Sequence, residues 1–165
     1  MQTTVDFLRH GEVQGGAYYR GSTDDPLTKT GWQQMNHAVA GREWDVIISS
    51  PLLRCIEFAQ QLKNQANIPL FIEPHWQEIY FGDWEGKTAE QINAEELMLF
   101  YQAPLNNTPN NAENLIDFIY RLNQAWESLL KEHAGKHILV VSHAGVIRCL
   151  FNLFLSLPAD KIFNL

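Results

Sequence analysis

The residues Arg9-His10-Gly11 combine side chains that suit phosphate chemistry. A neutral imidazole attacks phosphorus near neutral pH, and the phosphohistidine that it forms is readily hydrolysed. A neighbouring arginine holds phosphoryl oxygens by paired hydrogen bonds, and a glycine lets the backbone approach a ligand closely. The tripeptide therefore predicts phosphoryl transfer with His10 as the nucleophile and Arg9 in the phosphate pocket. By itself it is equally compatible with a histidine that only caps the end of a strand.

Arg54 and His143 are the further candidates for a phosphate pocket. The pair Ser50-Pro51 predicts a helix start, with serine as the N-cap and proline at the first helical position. Arg54 then lies in the first turn, where free N–H groups and the helix dipole favour an anion. His143 is placed to donate a hydrogen bond to a phosphoryl oxygen. The alternatives are a solvated surface arginine and a satisfied core histidine.

A phosphate monoester also needs an acid that protonates its leaving oxygen. Glu78 lies in an aromatic-rich segment, where partial burial would raise its pKa and keep it protonated. Asp83 and Glu85 are rivals for this role, and each of the three is also compatible with a solvated surface position. The residues alone leave the choice open.

The elements that must position these residues alternate between strands and helices. Strands are predicted at 5–8, 46–49, 70–72 and 138–141, and helices at 26–41, 51–62, 89–101, 115–129 and 146–155. This order predicts an α/β fold, a three-layer sandwich of a mostly parallel sheet with helices on both faces. Such sheets bind ligands beyond the carboxyl ends of their strands, where Arg9, Ser50 and His143 all fall.

Composition limits the class of protein further. The 165 residues, 45% of them hydrophobic and 19% charged, predict one globular domain over 1–165. No stretch approaches the roughly 20 apolar residues of a membrane span, and the N-terminus lacks an export signal, so we expect a cytoplasmic protein. The two cysteines, Cys55 and Cys149, are expected to be reduced core thiols. The net charge of −7 disfavours nucleic acid but allows a small anion in a cationic cleft.

Five motifs, in this order, resemble the histidine phosphatase superfamily, whose fold is phosphoglycerate mutase-like. They are LRHGE at 8–12, GSTDDPLT at 21–28, SSPLLRC at 49–55, EIYFGDWEG at 78–86 and VSHAGVIR at 141–148. The resemblance implies a phosphomonoesterase that needs no metal or cofactor, with His10 as the phosphorylated nucleophile. It implies that Arg9, Arg54 and His143 form the phosphate pocket. It also implies that Glu78, rather than Asp83 or Glu85, is the general acid and later the base.

Within the superfamily, the α-ribazole phosphatase subfamily is the most similar. The short loop between His10 and Gly21, the segment FGDWEG and the segment PNNAEN at 109–114 carry that resemblance. It implies a small phosphorylated metabolite as the substrate, with α-ribazole 5′-phosphate of cobalamin biosynthesis as the candidate. The substrate-binding candidates are Gln14, Gly21, Ser22 and Thr23.

The chain departs from the family pattern at two places. Gln14, Gly15 and Gly16 stand where relatives place an asparagine that touches the phosphate. The chain also appears short at its C-terminus, where relatives continue into further strands, so we expect an open sheet edge and the option of a dimer.

Other functions remain open from the residues. A broad-specificity phosphatase or a phosphoglycerate mutase-type enzyme would share most of these motifs. A non-catalytic relative that only binds anions is compatible with the short C-terminus. A metal hydrolase is a different enzyme class, raised by the six histidines, and no metal ligands are predicted.

Overall fold

A parallel sheet forms the centre of the computed structural model, which describes residues 2–164. Within those residues its strands are β1 (Thr4–Arg9), β2 (Val46–Ser49), β3 (Leu70–Ile72) and β4 (His137–Ser142). Their spatial order is β1-β4-β2-β3, and all neighbouring pairs are parallel. The predicted strands are confirmed, two of them at the same residues and two with one residue more at each end. The central β4 is buried along almost its whole length, as its continuous apolar run indicates.

Helices cover both faces of the sheet. They are α1 (Lys29–Val39), α2 (Leu53–Ala66), α3 (Ala94–Gln102), α4 (Leu115–Glu132) and α5 (Ala144–Phe154). Short 3₁₀ helices lie at Pro74–Trp76, Gly82–Trp84, Ala89–Gln91 and Ala159–Asn164. The first helix begins at Lys29 rather than at 26, because the side chain of Thr28 caps it by accepting a hydrogen bond from the N–H of Gly31.

The prediction of Ser50 as the N-cap of α2 is wrong. The helix begins at Leu53, and its N-cap is the apolar Leu52. The N–H of Ser50 donates instead to the carbonyl of Val141, which extends the hydrogen bonding of the sheet by one residue. The carboxylate of Asp24, from a distant loop, accepts from the N–H of Leu53 at 2.6 Å and does the capping.

The core consists of two layers separated by the sheet. Strand residues alternate between them, so that Ile48 and Val140 face α4 and α5, whereas Ile47 and Leu139 face α1 and α2. This arrangement confirms the three-layer sandwich. The buried free thiols of the two cysteines lie in opposite layers, Cys55 with α2 and Cys149 with α5. None of the helices within residues 2–164 has the length and apolar character to cross a bilayer.

Candidate active site

The candidate residues meet because neighbouring strands end at the same edge of the sheet. Arg9 ends β1 opposite Ser142, and His10 then donates its backbone N–H to the carbonyl of Ser142 at 3.0 Å. His143 follows β4 directly and is the N-cap of α5. The imidazole rings of His10 and His143 consequently lie 5.3 Å apart between centroids, edge to face.

His10 is held as a neutral imidazole with a defined tautomer. Its Nδ1 lies 2.8 Å from the carbonyl oxygen of Gly11. Because a carbonyl can only accept, Nδ1 carries the proton and Nε2 keeps its lone pair. Burial, together with the positive charges of Arg54 and Arg9, lowers the pKa of His10 to about 4. At neutral pH the ring is therefore uncharged and nucleophilic at Nε2.

Gly11 is required by packing against α1. A Cβ at this position would lie 2.3 Å from the carbonyl oxygen of Gly31, a distance that backbone atoms cannot accommodate. Gly31 is constrained in turn, because its own Cβ would lie 2.1 Å from the carbonyl oxygen of Glu12. The close approach that the sequence predicts at Gly11 is thus an approach between two backbones, which fixes the loop after His10 on α1.

His143 has the opposite tautomer. Its Nδ1 accepts a hydrogen bond from Nε of Arg54 at 3.2 Å, so Nε2 carries the proton and donates to Oγ of Ser50 at 2.7 Å. The ring is fully buried, and burial followed by the charge of Arg54 holds its pKa well below the usual value. Both ring nitrogens already have protein partners. A hydrogen bond from His143 to a phosphoryl oxygen stays a prediction, and it requires exchange of one of these contacts.

Arg54 is a buried cation whose contacts are neutral groups. It is 1% exposed, and its Nη1 and Nη2 donate to the carbonyls of Thr23 and Gly21 at 2.7 and 2.8 Å. Among residues 2–164 its guanidinium forms no ion pair with a carboxylate. Burial lowers its pKa, which expresses the cost of a charge without a close counterion. An anion bound beside it would remove that cost.

Glu78 lies against the N-terminus of α5. Its Oε2 accepts from the N–H of Gly145 at 3.0 Å, and its Oε1 accepts from the N–H of Ile79 at 3.1 Å. Burial raises the pKa of Glu78, and these two N–H groups offset only part of that effect. A Cβ on Gly145 would lie 2.2 Å from Oε1, so the glycine makes room for the carboxyl group. The result is a carboxyl group inclined to hold a proton, bound to Gly145, which follows His143 by two residues.

Asp83 and Glu85, the alternatives to Glu78 as the general acid, lie in surroundings different from those of Glu78. Asp83 is exposed and accepts a hydrogen bond from the side chain of Asn111 at 2.9 Å. Glu85 accepts from the backbone N–H groups of Gly21 at 2.7 Å and Thr23 at 3.0 Å. Sequence reasoning gave Glu85 no structural role, because its partners lie more than 60 residues away along the chain.

A cavity of about 730 Å³ opens beside His10. Of the predicted substrate-binding residues Gln14 lines it, together with Arg9, Gly15, Gly16, Tyr18 and Arg20. The side chain of Ser22 is exposed, and the backbones of Gly21 and Thr23 are bound by Glu85 and Arg54. Contacts of these four residues with a substrate stay predictions.

Arg20 is a cation of this cavity that sequence reasoning missed. Its Nε donates to Asp25 at 2.8 Å, its Nη2 donates to the carbonyl of Gln14 at 2.8 Å, and its guanidinium covers the ring of Tyr18 at 3.9 Å. The charge of Arg20 also contributes to the lowered pKa of His10. Its position in an irregular loop gives no periodic signal by which it could have been found.

Arg121 is a second residue that sequence reasoning missed. It donates to the carbonyls of Gln77 at 3.0 Å and Glu78 at 3.2 Å, and its Nε donates to Glu113 at 2.6 Å. It thereby fixes the backbone that carries the candidate acid. The available signal is its place on α4 beside Leu122, a fully buried residue, where a charged side chain needs a partner.

Metal-binding side chains are scattered over the described part of the chain rather than gathered in one place. Within residues 2–164, no three side chains of His, Cys, Asp or Glu come together as a metal site. His133 and His137 have the spacing of a zinc-binding pair, but they fall at the end of α4 and the start of β4 rather than on one helical face. His133 packs on Phe71, and His137 lies 3.1 Å from a carboxylate oxygen of Asp6.

The chain is similar to a known protein family and to individual proteins of known name. Residues 5–165 match the family model described as "Histidine phosphatase superfamily (branch 1)". The adenosylcobalamin/alpha-ribazole phosphatase of Escherichia coli strain K12 is 29% identical over 95% of this chain and 81% of its own length. A protein of Escherichia fergusonii named "Probable phosphoglycerate mutase GpmB" is 31% identical over 94% of this chain and 76% of its own.

Solved structures have the same fold. YhfR of Bacillus stearothermophilus superposes with a TM-score of 0.87 at 30% identity, over 97% of this chain and 83% of that one. The alpha-ribazole phosphatase of Shigella flexneri superposes with a TM-score of 0.82 at 28% identity, with the same two coverages.

Proposed function

The chain belongs to the histidine phosphatase superfamily and is a hydrolase of the phosphohistidine type, and on that premise we propose that His10 is its nucleophile. The observation that carries the proposal is the tautomer of His10. Its proton lies on Nδ1, bound to Gly11, so the lone pair of Nε2 is available for attack. The nearby buried guanidinium of Arg54, whose contacts are neutral carbonyls and an imidazole, supplies the matching positive charge.

The reaction consists of two displacements at phosphorus. In the first, Nε2 of His10 forms a bond to phosphorus, the ester P–O bond breaks, and Glu78 gives its proton to the leaving oxygen. In the second, the Glu78 carboxylate takes a proton from water as that water attacks phosphorus. The P–N bond then breaks, inorganic phosphate leaves, and Nε2 regains its lone pair. Glu78 gives one proton to the leaving alcohol and regains one from water, so the enzyme returns to its starting state and the net reaction is hydrolysis of the ester.

The cations stabilise the charge that the phosphoryl oxygens carry through both steps. Arg54 is buried and its guanidinium is fixed by three hydrogen bonds, so it binds the phosphoryl group without reorganising. Arg9 ends β1 beside His10 and lines the open cavity, where it contacts the same group. His143 joins them when an incoming oxygen replaces one of its two protein partners.

The proposed substrate is a small phosphorylated metabolite, and α-ribazole 5′-phosphate is the first candidate. The names of the relatives from Escherichia coli and Shigella flexneri support this choice. The cavity of about 730 Å³ is large enough for a nucleoside-sized leaving group. A phosphoglycerate mutase-type activity is the second candidate, because the relative from Escherichia fergusonii carries that name. A cytoplasmic location is part of the proposal, whereas a dimer remains one option for the oligomeric state.

The test is hydrolysis of p-nitrophenyl phosphate at about pH 6 with a chelator present, in the wild type and in His10→Ala. We expect the wild type to turn over and the variant to lose about a thousandfold or more of kcat/KM. An exposed histidine on α1 offers a matched control, and His37→Ala should retain wild-type turnover. During turnover, quenched wild-type enzyme should carry acid-labile phosphate.

Two results would contradict this mechanism. Turnover that survives in His10→Ala would remove His10 as the nucleophile, and turnover without acid-labile phosphate would remove the covalent step. A wild type that binds phosphate but hydrolyses no phosphoester would indicate a non-catalytic relative. Supplying 3-phosphoglycerate and measuring the ratio of phosphate to 2-phosphoglycerate separates a phosphatase from a mutase.

A further inference from the structure

The carboxylate of Glu85 is surrounded by donors from the chain itself. Oε1 accepts from the N–H groups of Gly21 at 2.7 Å, Ser22 at 3.3 Å and Phe81 at 3.0 Å. Oε2 accepts from the N–H of Thr23 at 3.0 Å and from its hydroxyl group. A carboxylate offers about four lone-pair positions, so these donors leave little capacity for a substrate. Glu85 therefore acts on the protein rather than on a ligand.

The loop at 21–23 is held from its other side by Arg54. The carbonyls of Gly21 and Thr23 accept from Nη2 and Nη1 of Arg54 at 2.8 and 2.7 Å. The carbonyl of Gly21 and the N–H of Ser22 belong to one peptide group. That single peptide group therefore donates to the Glu85 carboxylate at one end and accepts from the Arg54 guanidinium at the other.

This arrangement orients dipoles between two opposite charges. A peptide group with its N–H towards a carboxylate and its carbonyl towards a guanidinium is stabilised at both ends. If Glu85 lost its charge, the loop could rotate and present N–H groups to Arg54. The buried guanidinium, which has no ion-pair partner among residues 2–164, would then lose its acceptors and its fixed direction.

Packing also places the loop directly against the Glu85 carboxylate. A Cβ on Gly21 would lie 2.5 Å from Oε1 of Glu85 and 2.0 Å from the carbonyl oxygen of Ile79. The glycine thus fits into a space bounded by the Glu85 carboxylate and the backbone that follows Glu78. Glu85 defines one wall of that space.

We propose that Glu85 is a positioning residue for the phosphate pocket, which it shapes through the loop at 21–23 and the guanidinium of Arg54. The proposal rests on the function proposed above, since it assigns Arg54 to the bound phosphoryl group. It predicts that the charge of Glu85 changes phosphate affinity although Glu85 never contacts phosphate.

The first test is Glu85→Gln, which preserves shape and removes the charge. We expect the dissociation constant for inorganic phosphate, measured by calorimetry, to rise about tenfold or more, because hydrogen bonds to a charged group are lost. Asp83→Asn is the matched control, since Asp83 is an exposed carboxylate on the 3₁₀ helix at Gly82–Trp84, of which Glu85 is the C-cap. It should stay within about twofold of the wild type.

A double-mutant cycle with Arg54→Lys separates positioning from a general loss of stability. If Glu85 acts through Arg54, Glu85→Gln should weaken phosphate binding much less in the Arg54→Lys background than in the wild type. Independent effects that simply add would overturn the proposal. A folded Glu85→Gln protein with phosphate affinity within about twofold of the wild type would overturn it too.

A milder variant covers the case in which Glu85→Gln does not fold. Thr23→Val removes only the hydroxyl donor to Glu85, and we expect phosphate affinity to fall about threefold. Unchanged affinity in a folded Thr23→Val protein, with Glu85→Gln unfolded, would overturn the proposal. Because binding is measured without turnover, a wild type that binds phosphate but hydrolyses nothing would refute the proposed function and still test Glu85.

Discussion

At the scale of single residues, environment gives the two site histidines opposite tautomers. The carbonyl of Gly11 fixes the proton of His10 on Nδ1, and the guanidinium of Arg54 fixes the proton of His143 on Nε2. Both rings are neutral, because burial and nearby positive charge lower both pKa values. One ring therefore presents a lone pair, whereas the other is suited to donating a hydrogen bond.

These pKa shifts predict the pH dependence of kcat/KM. His10 must be neutral to attack, so activity should rise with pH through about 4, where its pKa lies. Glu78 must be protonated to release an alkoxide, so activity should fall again as pH rises through its own elevated pKa. The measurement compares a simple alkyl phosphate with p-nitrophenyl phosphate over the same pH range.

The two substrates isolate the acid once each profile is corrected for the ionisation of its own phosphate group, because they differ in whether the leaving group needs a proton. The nitrophenolate leaves without a proton, so its alkaline limb should be weaker than that of the alkyl phosphate. In Glu78→Gln, the alkyl phosphate should lose about a hundredfold or more, and p-nitrophenyl phosphate should still phosphorylate the enzyme. Equal losses of the phosphorylation rate with both substrates would exclude Glu78 as the acid.

At the scale of elements, apolar runs made the strands predictable, and long-range contacts decided what local patterns did not. The segment 138–141 is apolar throughout because it lies between two helical layers, so its pattern identifies it as a buried strand. Ser50 has the sequence context of an N-cap, yet its hydroxyl binds His143 and its N–H binds Val141. Local capping rules cannot anticipate partners about 90 residues away.

The residues of the candidate site fall into the same two groups, those that a local pattern predicts and those whose contacts are long-range. Arg9, His10 and His143 stand at strand ends, which is why the sequence could place them together. Glu85 and Arg121 form hydrogen bonds to the backbones of other segments, and neither spacing nor residue type predicts such contacts. The sequence thus predicted the groups at strand ends better than the groups that hold the surrounding backbone.

The start of α5 offers a prediction in which stability and activity diverge. In Gly145→Ala the new Cβ would lie 2.2 Å from Oε1 of Glu78, the end of a flexible side chain that can move aside. Alanine favours a helix over glycine by about 1 kcal/mol, and this gain opposes the cost of moving the Glu78 side chain aside. The midpoint of thermal unfolding should therefore change little. Displacement of the carboxyl group should lower kcat on an alkyl phosphate about tenfold or more.

The background of Glu78→Gln provides the control for this variant. If the loss in Gly145→Ala comes from displacing the acid, adding it to Glu78→Gln should cost little further activity. A full additional loss in the double variant, or wild-type activity in Gly145→Ala itself, would contradict the argument.

At the scale of the whole molecule, an acidic chain concentrates cations at one edge of its sheet. The formal net charge is −7, yet Arg9, Arg20 and Arg54 all lower the pKa of His10. The overall negative charge would repel nucleic acid, whereas a small phosphate ester would be attracted by the local positive charge of these arginines. The fold accepts this concentration of charge because Arg20 is paired with Asp25 and Arg54 is held by carbonyls.

The lowered pKa of His10 also predicts how global stability depends on pH. The unfolded chain binds a proton at this group below about 6.5, and the folded chain does so only below about 4, so stability falls as pH drops through that window. Glu78 acts with the opposite sign, because its raised pKa makes the folded chain hold the proton more tightly.

Subtracting the curve of stability against pH for His10→Ala from that of the wild type isolates the contribution of His10. The difference in the free energy of unfolding, from urea titrations, should shift by about 1–2 kcal/mol against the wild type between pH 7 and 5. A difference that is constant with pH would mean that the folded protein leaves His10 as easy to protonate as the unfolded chain does, and would remove the basis for a neutral nucleophile.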